Sequence, residues 1–420
     1  ISNIFIPLYS LLFIVYGNLD CWDKYSPDLN QSFIFKSKSL VLHEEDIHML
    51  NPNIIIFNNR TYYMWRRWDS KSLDSTLVYV QNEALNSSSL HNLTTQQFSE
   101  GCVMRLLPSS GGTEGEEIRG QDMRLFVLGG DRLFGVYNHG TKFGEWNRYY
   151  HGRNMFYVEL FPDPSGRCLH GRDKPHEMSM AHEAPYMDEK NWTPFEYRSH
   201  LYLIYSFHPF RVLQILPNNT IDGIRDAYLH LMDTVSLAAS ESALWEWGEV
   251  RGGTPAYLVR GEYLTFFHSS SMRCEVHSKK PPLTYHMGAL TFSAEPPFLI
   301  TRISRIPLHE AGFYSDAPKQ GRFTPDVVFP MNYFLSADGR DIVLSFGKND
   351  RQGYVVTLDY DALINSLQNI TNVKLGESKP REEGFEPYSF MFSCSQYFDK
   401  NYCTDLLHKH HSHGNPHLRR

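Results

Sequence analysis

Short apolar runs come in pairs along this chain, each pair split by a turn of two or three polar or glycine residues. The sharpest is Arg124-Leu125-Phe126-Val127-Leu128, then Gly129-Gly130-Asp131, then Leu133-Phe134-Gly135-Val136-Tyr137-Asn138. Alternation puts every second side chain on one sheet face and the glycines allow a tight reversal. The stretch therefore predicts a β-hairpin with Asp122 and Arg124 at the mouth of its first strand. Four more hairpins share the outline: Asn53–Phe57 with Thr61–Trp65, Thr193–Tyr197 with Leu201–Tyr205, Pro255–Val259 with Tyr263–Phe267, and Met331–Leu335 with Ile342–Phe346. A third run follows most of them, at Met155–Val158, Arg211–Ile215, Tyr285–Leu290 and Tyr354–Leu358. Units of three or four antiparallel strands, repeating every roughly 60 to 75 residues, predict an all-β fold: a five-bladed β-propeller with a central-channel site. A large β-sandwich is the alternative, and polar residues at matching points of each unit favour the propeller. Short helices are expected within Ile221–Ser240 and over Asp361–Gln368.

In a propeller the innermost strand of every blade borders the channel, so residues at one end of those strands converge although they are far apart in sequence. The matching points hold Asp122 and Arg124; Lys190, Asn191 and Trp192; and Arg251, Gly252, Gly253 and Thr254. The ends of the second strands add His208, His268 and, past Phe346-Gly347, Asn349 and Asp350, with Arg211 just beyond His208. Arginine grips phosphate with a bidentate fork, lysine acts as a point charge, and paired glycines admit close backbone approach to a ligand. The set suits an anion beside a polar sugar. Two readings of Asp122 stay open: a general acid, if its environment raises its proton affinity, or an ion-pair partner of Arg124. Trp245-Glu246-Trp247 offers either a sugar-stacking platform or buried aromatics. Glu183, Asp188 and Glu189 offer a second carboxylate or a solvated loop. No nucleophile elbow, phosphate-cradling P-loop or dinucleotide fingerprint is present. No metal-ligand spacing is seen, and no cofactor is expected.

Composition adds three constraints. Of 420 residues, 41% are hydrophobic and 14% aromatic, enough for a large core and weighted towards strands. A net charge of -7 implies no basic field for nucleic acid. The apolar run Ile4–Gly17 is too short for a membrane span and suits a signal-peptide core, with a signal-anchor remnant as the alternative. The expected organisation is 1–17 signal peptide or anchor remnant, 18–375 propeller, and 376–420 an extension ending in a disordered His-rich tail. The expected location is the secretory pathway, extracellular or in the ER or Golgi lumen, with membrane attachment only through an uncleaved anchor. Asn-X-Ser/Thr sequons at Asn30, Asn59, Asn86, Asn92, Asn191, Asn218 and Asn369 agree with that route. Of the six cysteines, Cys394 and Cys403 are placed to bridge locally, with buried free thiols as the alternative.

The order of these motifs resembles the β-mannoside phosphorylases and hydrolases of glycoside hydrolase family 130 and related β-mannosyltransferase-like five-bladed propellers. The resemblance rests on Gln121-Asp122-Met123-Arg124 where that family has Glu-Asp-Pro-Arg, then Lys190-Asn191, Gly252-Gly253-Thr254-Pro255, Phe267-His268, and Phe346-Gly347-Lys348-Asn349-Asp350. It covers roughly Arg119 to Leu358. It implies Asp122 as the general acid, donating its proton through a sugar hydroxyl to the glycosidic oxygen, with inversion at the anomeric carbon. Phosphate, water or an acceptor sugar would be the other reactant. Arg124, Lys190 and His268 would hold phosphate or the leaving group, and Asp350 the sugar hydroxyls. Asn191, His208, Arg211, Arg251 and Gly253 complete the expected binding set. The implied partner is a mannose-containing glycan or sugar phosphate, with inorganic phosphate as co-substrate. Gln121 and Met123 depart from the family pattern, as does Ser206-Phe207-His208-Pro209, where Arg211 would replace a missing arginine. A non-catalytic carbohydrate-binding propeller and a lumenal glycosyltransferase using a nucleotide sugar are the competing functions.

Overall fold

The structure, a computed structural model, describes residues 31–370 except 32, 43–47, 69–74, 83–101, 107–116, 119, 143–150, 167, 173, 181–189, 208–209, 216–226, 232–244, 246, 273–282, 311–312, 315–326 and 350–351. The expected leader, the C-terminal extension, and Cys394 with Cys403 lie outside the described residues. So do Glu183, Asp188, Glu189, His208 and Asp350.

The fold is all-β and propeller-like. Every expected hairpin forms. His48–Phe57 pairs with Arg60–Trp68, then Ser75–Asn82 and Cys102–Val103. A ten-stranded sheet holds two antiparallel meanders. One is Gln121–Leu128, Arg132–Lys142, His151–Pro162; the other is Thr193–Tyr197, His200–Phe207, Phe210–Ile215. A parallel pair, His176–Met180 with Ala227–Leu231, joins them. The next sheet sets Glu249–Gly252 and Tyr257–Val259 against Glu262–Met272, followed by Leu283–Ser293, Ile300–Ser304 and Leu367–Asn369. In the last, Val328–Leu335, Asp341–Lys348 and Gln352–Asp359 are completed by Phe35–Leu42, which pairs antiparallel with Gln352–Asp359. The N-terminal stretch thus supplies the outer strand of the C-terminal sheet and closes the ring, and Lys36 bridges Asp341 and Asp359 across that closure.

The turns explain the hairpins. Asn58 and Asn59 are both left-handed at φ 50 and 56, Arg198 and Ser199 at 50 and 60, and Arg260 with Gly261 at 49 and 90. Two consecutive left-handed residues match the twist of the flanking strands. Within Ile221–Ser240 the expected helix is replaced, over Ala227–Leu231, by a strand that pairs with Phe210–Ile215 and His176–Met180. Two open strand edges outweigh a weak local preference. The later helix forms as Tyr360–Ser366, capped by Asp359, whose Oδ1 accepts from the Ala362 N–H at 2.9 Å.

The core lies between neighbouring sheets, so most strands bury both faces and read as near-continuous apolar runs. Ile55, Tyr62 and Met64 pack on Leu125, Leu133 and Val158. Phe126, Phe134 and Met155 pack on Leu203 and Leu213. Phe195, Tyr202 and Ile204 meet Tyr263, Phe292 and Phe298, where Phe195 makes edge-on contacts at 5.0 to 5.4 Å. Each fully buried Leu, Ile or Phe here contributes about 1.5–3 kcal/mol.

The axis is built differently. The inner strand of each sheet has one edge with no strand beside it, so its carbonyls need partners where bulk water cannot reach. Side chains and a backbone N–H from neighbouring sheets supply several of them. Asn53 Nδ2 donates to Met123 O at 2.8 Å. Asn332 Nδ2 donates to Leu125 O at 2.9 Å and to Asn53 Oδ1 at 2.8 Å. Ala256 N–H donates to Pro194 O at 2.9 Å, and Tyr333 OH to Leu264 O at 2.6 Å. Asn53, Arg124, Thr193, Thr254 and Asn332 are all 0% exposed.

Candidate active site

Inner strands open on a kink. In Gln121–Leu128 the register slips between Gln121 and Arg124, and Asp122 takes a left-handed backbone with φ 52. His48–Phe57 slips in the same way between Leu50 and Asn53, with Asn51 at φ 53. Asn191, two residues ahead of Thr193, has φ 63. Asp and Asn enter this region more readily than other non-glycine residues. A bulge breaks the alternation that would set Asp122 and Arg124 on one face, so their side chains part.

The Asp122 carboxylate turns towards the neighbouring sheet and stays 15% exposed. Asn51 Nδ2 donates to its Oδ1 at 2.7 Å, and Arg66 Nη1 stands 3.4 Å from the same oxygen. The expected Asp122–Arg124 side-chain pair is therefore replaced: Arg124 Nη1 donates to the Asp122 backbone carbonyl at 3.1 Å.

Arg124 runs into the axis and is fully buried. Its Nη2 donates to Asn191 Oδ1 at 3.2 Å and Gly252 O at 3.1 Å, and its Nε donates to Gly253 O. One guanidinium thus ties three inner strands together. Four of its five N–H groups thus serve protein acceptors in the interior. Burial pushes its pKa down to about 10, with the Asp122 charge opposing, so it stays cationic at neutral pH.

Gly252 and Gly253 also serve packing. A Cβ on Gly252 would strike Asn191 O, and one on Gly253 would strike Phe266 O and stand 2.7 Å from Pro330 Cγ. The glycines let inner strands close on each other.

His268 is 1% exposed, opposite Arg251 in the strand register. Its ring lies 4.5 Å from Phe329 and 5.4 Å from Tyr285, and Arg124 is 5.9 Å from the same Phe329 ring. Burial first, then the charges of Arg251, Arg124 and Lys190, hold its pKa well below the usual histidine range, so it is neutral at pH 7. Its Nδ1 is buried without a hydrogen-bond partner among the described residues. Arg251 Nη2 pairs with Glu249 at 2.6 Å.

Asp122, Arg124, Asn191, Gly252, Gly253, His268, Lys190 and Arg251 are therefore one neighbourhood. Arg211 is half-buried on the third strand of its meander, opposite Ser206. Trp245 is buried edge-on to Phe267 at 4.8 Å, whereas Trp247 is half-buried, edge-on to His286 at 5.4 Å. Asn51 and Arg66 are not among the site residues expected from the sequence. A signal for Asn51 existed, because polar-X-polar recurs at three strand mouths: Asn51-Pro52-Asn53, Asp122-Met123-Arg124 and Asn191-Trp192-Thr193. Arg66 is one of several charged residues ending a strand, and nothing local marks it.

Chemically, the site sets one partly exposed carboxylate beside an amide donor and a cation. Lys190 and Arg251 lie near the buried, neutral His268. No group of three or more His, Cys, Asp or Glu residues suited to a metal occurs among the described residues. No helix among them is long and apolar enough to cross a membrane.

Among solved structures, the chain is similar to a candidate glycoside hydrolase from Bacteroides ovatus, with 13% identity over 80% of this chain and 96% of that one and a TM-score of 0.47. It is similar to a structure from glycoside hydrolase family 130, described as mannoside phosphorylases that include hydrolases of β-1,2 mannosidic linkages in Candida mannan (11% identity, 80% and 96% covered, TM-score 0.47). It is also similar to β-1,2-mannobiose phosphorylase from Listeria innocua in complex with β-1,2-mannobiose (13% identity, 81% and 98% covered, TM-score 0.39). No protein-family model and no curated protein matches the chain.

Proposed function

We propose that this chain is a carbohydrate-active enzyme that performs inverting glycosyl transfer or phosphorolysis on β-mannoside-like sugars in a secretory compartment. In this reading the two meanders of the ten-stranded sheet count as separate blades, which makes five. The observation that carries the proposal is the setting of Asp122: a partly exposed carboxylate on a left-handed residue at a strand mouth, held by Asn51 and Arg66. The motif order described above suggests which sugar.

Asp122, protonated, gives its proton to the departing glycosidic oxygen through a sugar hydroxyl. A phosphate oxygen attacks the anomeric carbon from the opposite face, the C–O bond breaks with its electrons going to the protonated oxygen, and the configuration inverts; an acceptor-sugar hydroxyl attacking in its place gives up its proton to solvent as the new bond forms. Phosphate is already a nucleophile and needs no second carboxylate as base, whereas hydrolysis would need one to activate water. Lys190 and Arg251 supply positive charge for the phosphate, and neutral His268 supplies a hydrogen-bonding edge. Arg124, Asn191 and Gly253 act by holding the inner strands in place. His208, Arg211 and Asp350 remain proposed substrate contacts.

The test is a screen of β-mannosides with the full chain, with and without inorganic phosphate, beside Asp122→Asn. The expected result is phosphate-dependent release of a mannosyl phosphate, cut roughly 10²–10⁴-fold in the variant while sugar binding persists. Binding without turnover under any condition would make this a carbohydrate-binding propeller, and the absence of both would refute the reading.

A further inference from the structure

Three of the seven sequons have described asparagines, and the fold treats them differently. Asn59 is exposed in the two-residue turn between His48–Phe57 and Arg60–Trp68, and its amide makes no hydrogen bond to a described residue. Asn369 is exposed at the end of Leu367–Asn369, and its Oδ1 accepts from Arg302 Nε at 3.0 Å. That contact uses the amide oxygen and leaves Nδ2, the atom that would carry a sugar, free of it. Asn191 is the opposite case. It is 7% exposed, it accepts from Arg124 at 3.2 Å, and its backbone carbonyl lies against Gly252. A glycan on Asn191 would occupy the space where three inner strands meet.

A second observation concerns the compartment. Cys102 and Cys168, 66 residues apart with Cα atoms 5.7 Å apart, form a disulfide. Such bonds persist where the surroundings are oxidising, as they are where N-linked glycans are added. Position also matters. Asp122 stands at the start of its inner strand, whereas the Asn58–Asn59 turn ends the neighbouring one, so Asn59 is on the face away from Asp122. Asn369 is on the outermost strand of its sheet, remote from the axis. Glycans at both would leave the mouth clear.

We propose that Asn59 and Asn369 are N-glycosylation sites and that the folded protein carries none on Asn191. At each site Nδ2 bonds to the anomeric carbon of an oligosaccharide carried on a lipid diphosphate. The nitrogen gives up one proton, and the lipid diphosphate leaves with the electrons of the broken C–O bond. Because the transfer acts on the entering chain, copies modified at Asn191 can form, but they cannot assemble the Arg124 junction and are lost from the folded fraction. The proposal is independent of the reaction assigned to Asp122.

The test expresses the full chain behind a cleavable leader in secreting insect cells and isolates the monodisperse secreted fraction. Glycans are then released enzymatically in ¹⁸O water, and peptides are mapped by mass spectrometry. Expected are ¹⁸O-labelled aspartates at positions 59 and 369 and unlabelled asparagine at 191. Asn59→Gln and Asn369→Gln should each remove one step of gel mobility without changing secretion. Bare Asn59 and Asn369, or a glycan on Asn191 in that fraction, would overturn the proposal.

Discussion

Replacing Arg124 tests the junction on which the site depends. Its guanidinium serves four acceptors: Asp122 O, Asn191 Oδ1, Gly252 O and Gly253 O. Arg124→Met keeps most of the volume and leaves all four without their donor. A buried acceptor left unsatisfied costs about 1–3 kcal/mol, so the gross loss is several kcal/mol even if the Asn191 side chain turns away. Against this stands the relief of no longer burying a cation. The fall of its pKa to about 10 corresponds to about 3 kcal/mol, at about 1.4 kcal/mol per unit. The net expectation is a destabilisation of about 3 kcal/mol, a large part of the 5–15 kcal/mol that a folded domain typically has. Arg124→Lys sharpens the test. A lysine keeps the charge, but its compact ammonium cannot span four acceptors set out for a planar fork. It should therefore be no more stable than Arg124→Met, within about 1 kcal/mol. The assay is urea unfolding followed by circular dichroism, with amide exchange read at Asn191–Thr193 and Gly252–Thr254, where protection should fall in both variants. Unfolding midpoints at the wild-type value for both, or a lysine variant restored to wild type, would refute the claim that fork geometry holds the axis.

His268 stays neutral when folded while an unfolded histidine titrates near its ordinary value of about 6.5, so stability from this residue is full above that pH and falls as pH drops below it, by up to about 1.4 kcal/mol per pH unit. His268→Gln should flatten the stability change between pH 6.5 and 5 measured by urea titration, and equal slopes in the two proteins would contradict the assignment. Gly253→Ala should cost about 1–3 kcal/mol, because its Cβ meets the Phe266 carbonyl and Pro330 and neither can withdraw; calorimetry would show it, and an unchanged melting temperature would count against the close approach. Opening the Cys102–Cys168 bridge by a double serine substitution should cost about 4 kcal/mol for a 66-residue span, read as a lower urea midpoint than wild type, and an equal midpoint would refute it.

The sequence by itself determined the hairpins. Their signals are local: alternation along five residues, and Asn, Ser, Arg or Gly at turns that demand left-handed backbone, as at Asn58-Asn59 and Arg260-Gly261. It also marked two of the strand mouths, at Asp122 and Asn191, where short polar residues carry the kink. Only the tertiary structure decided what those residues touch. The Asp122–Arg124 pair looked natural at a spacing of two, yet a one-residue bulge sent the carboxylate to Asn51 and Arg66 and the guanidinium to Gly252 and Gly253. The closing strand Phe35–Leu42 was illegible because its partner lies more than 300 residues away, and the bridge from Cys102 to Cys168 because six cysteines allow many pairings. Backbone sterics and side-chain alternation act over a few residues and are written in the order of the chain. Ring closure and the capping of inner-strand carbonyls are settled only when distant strands meet and the water between them is gone.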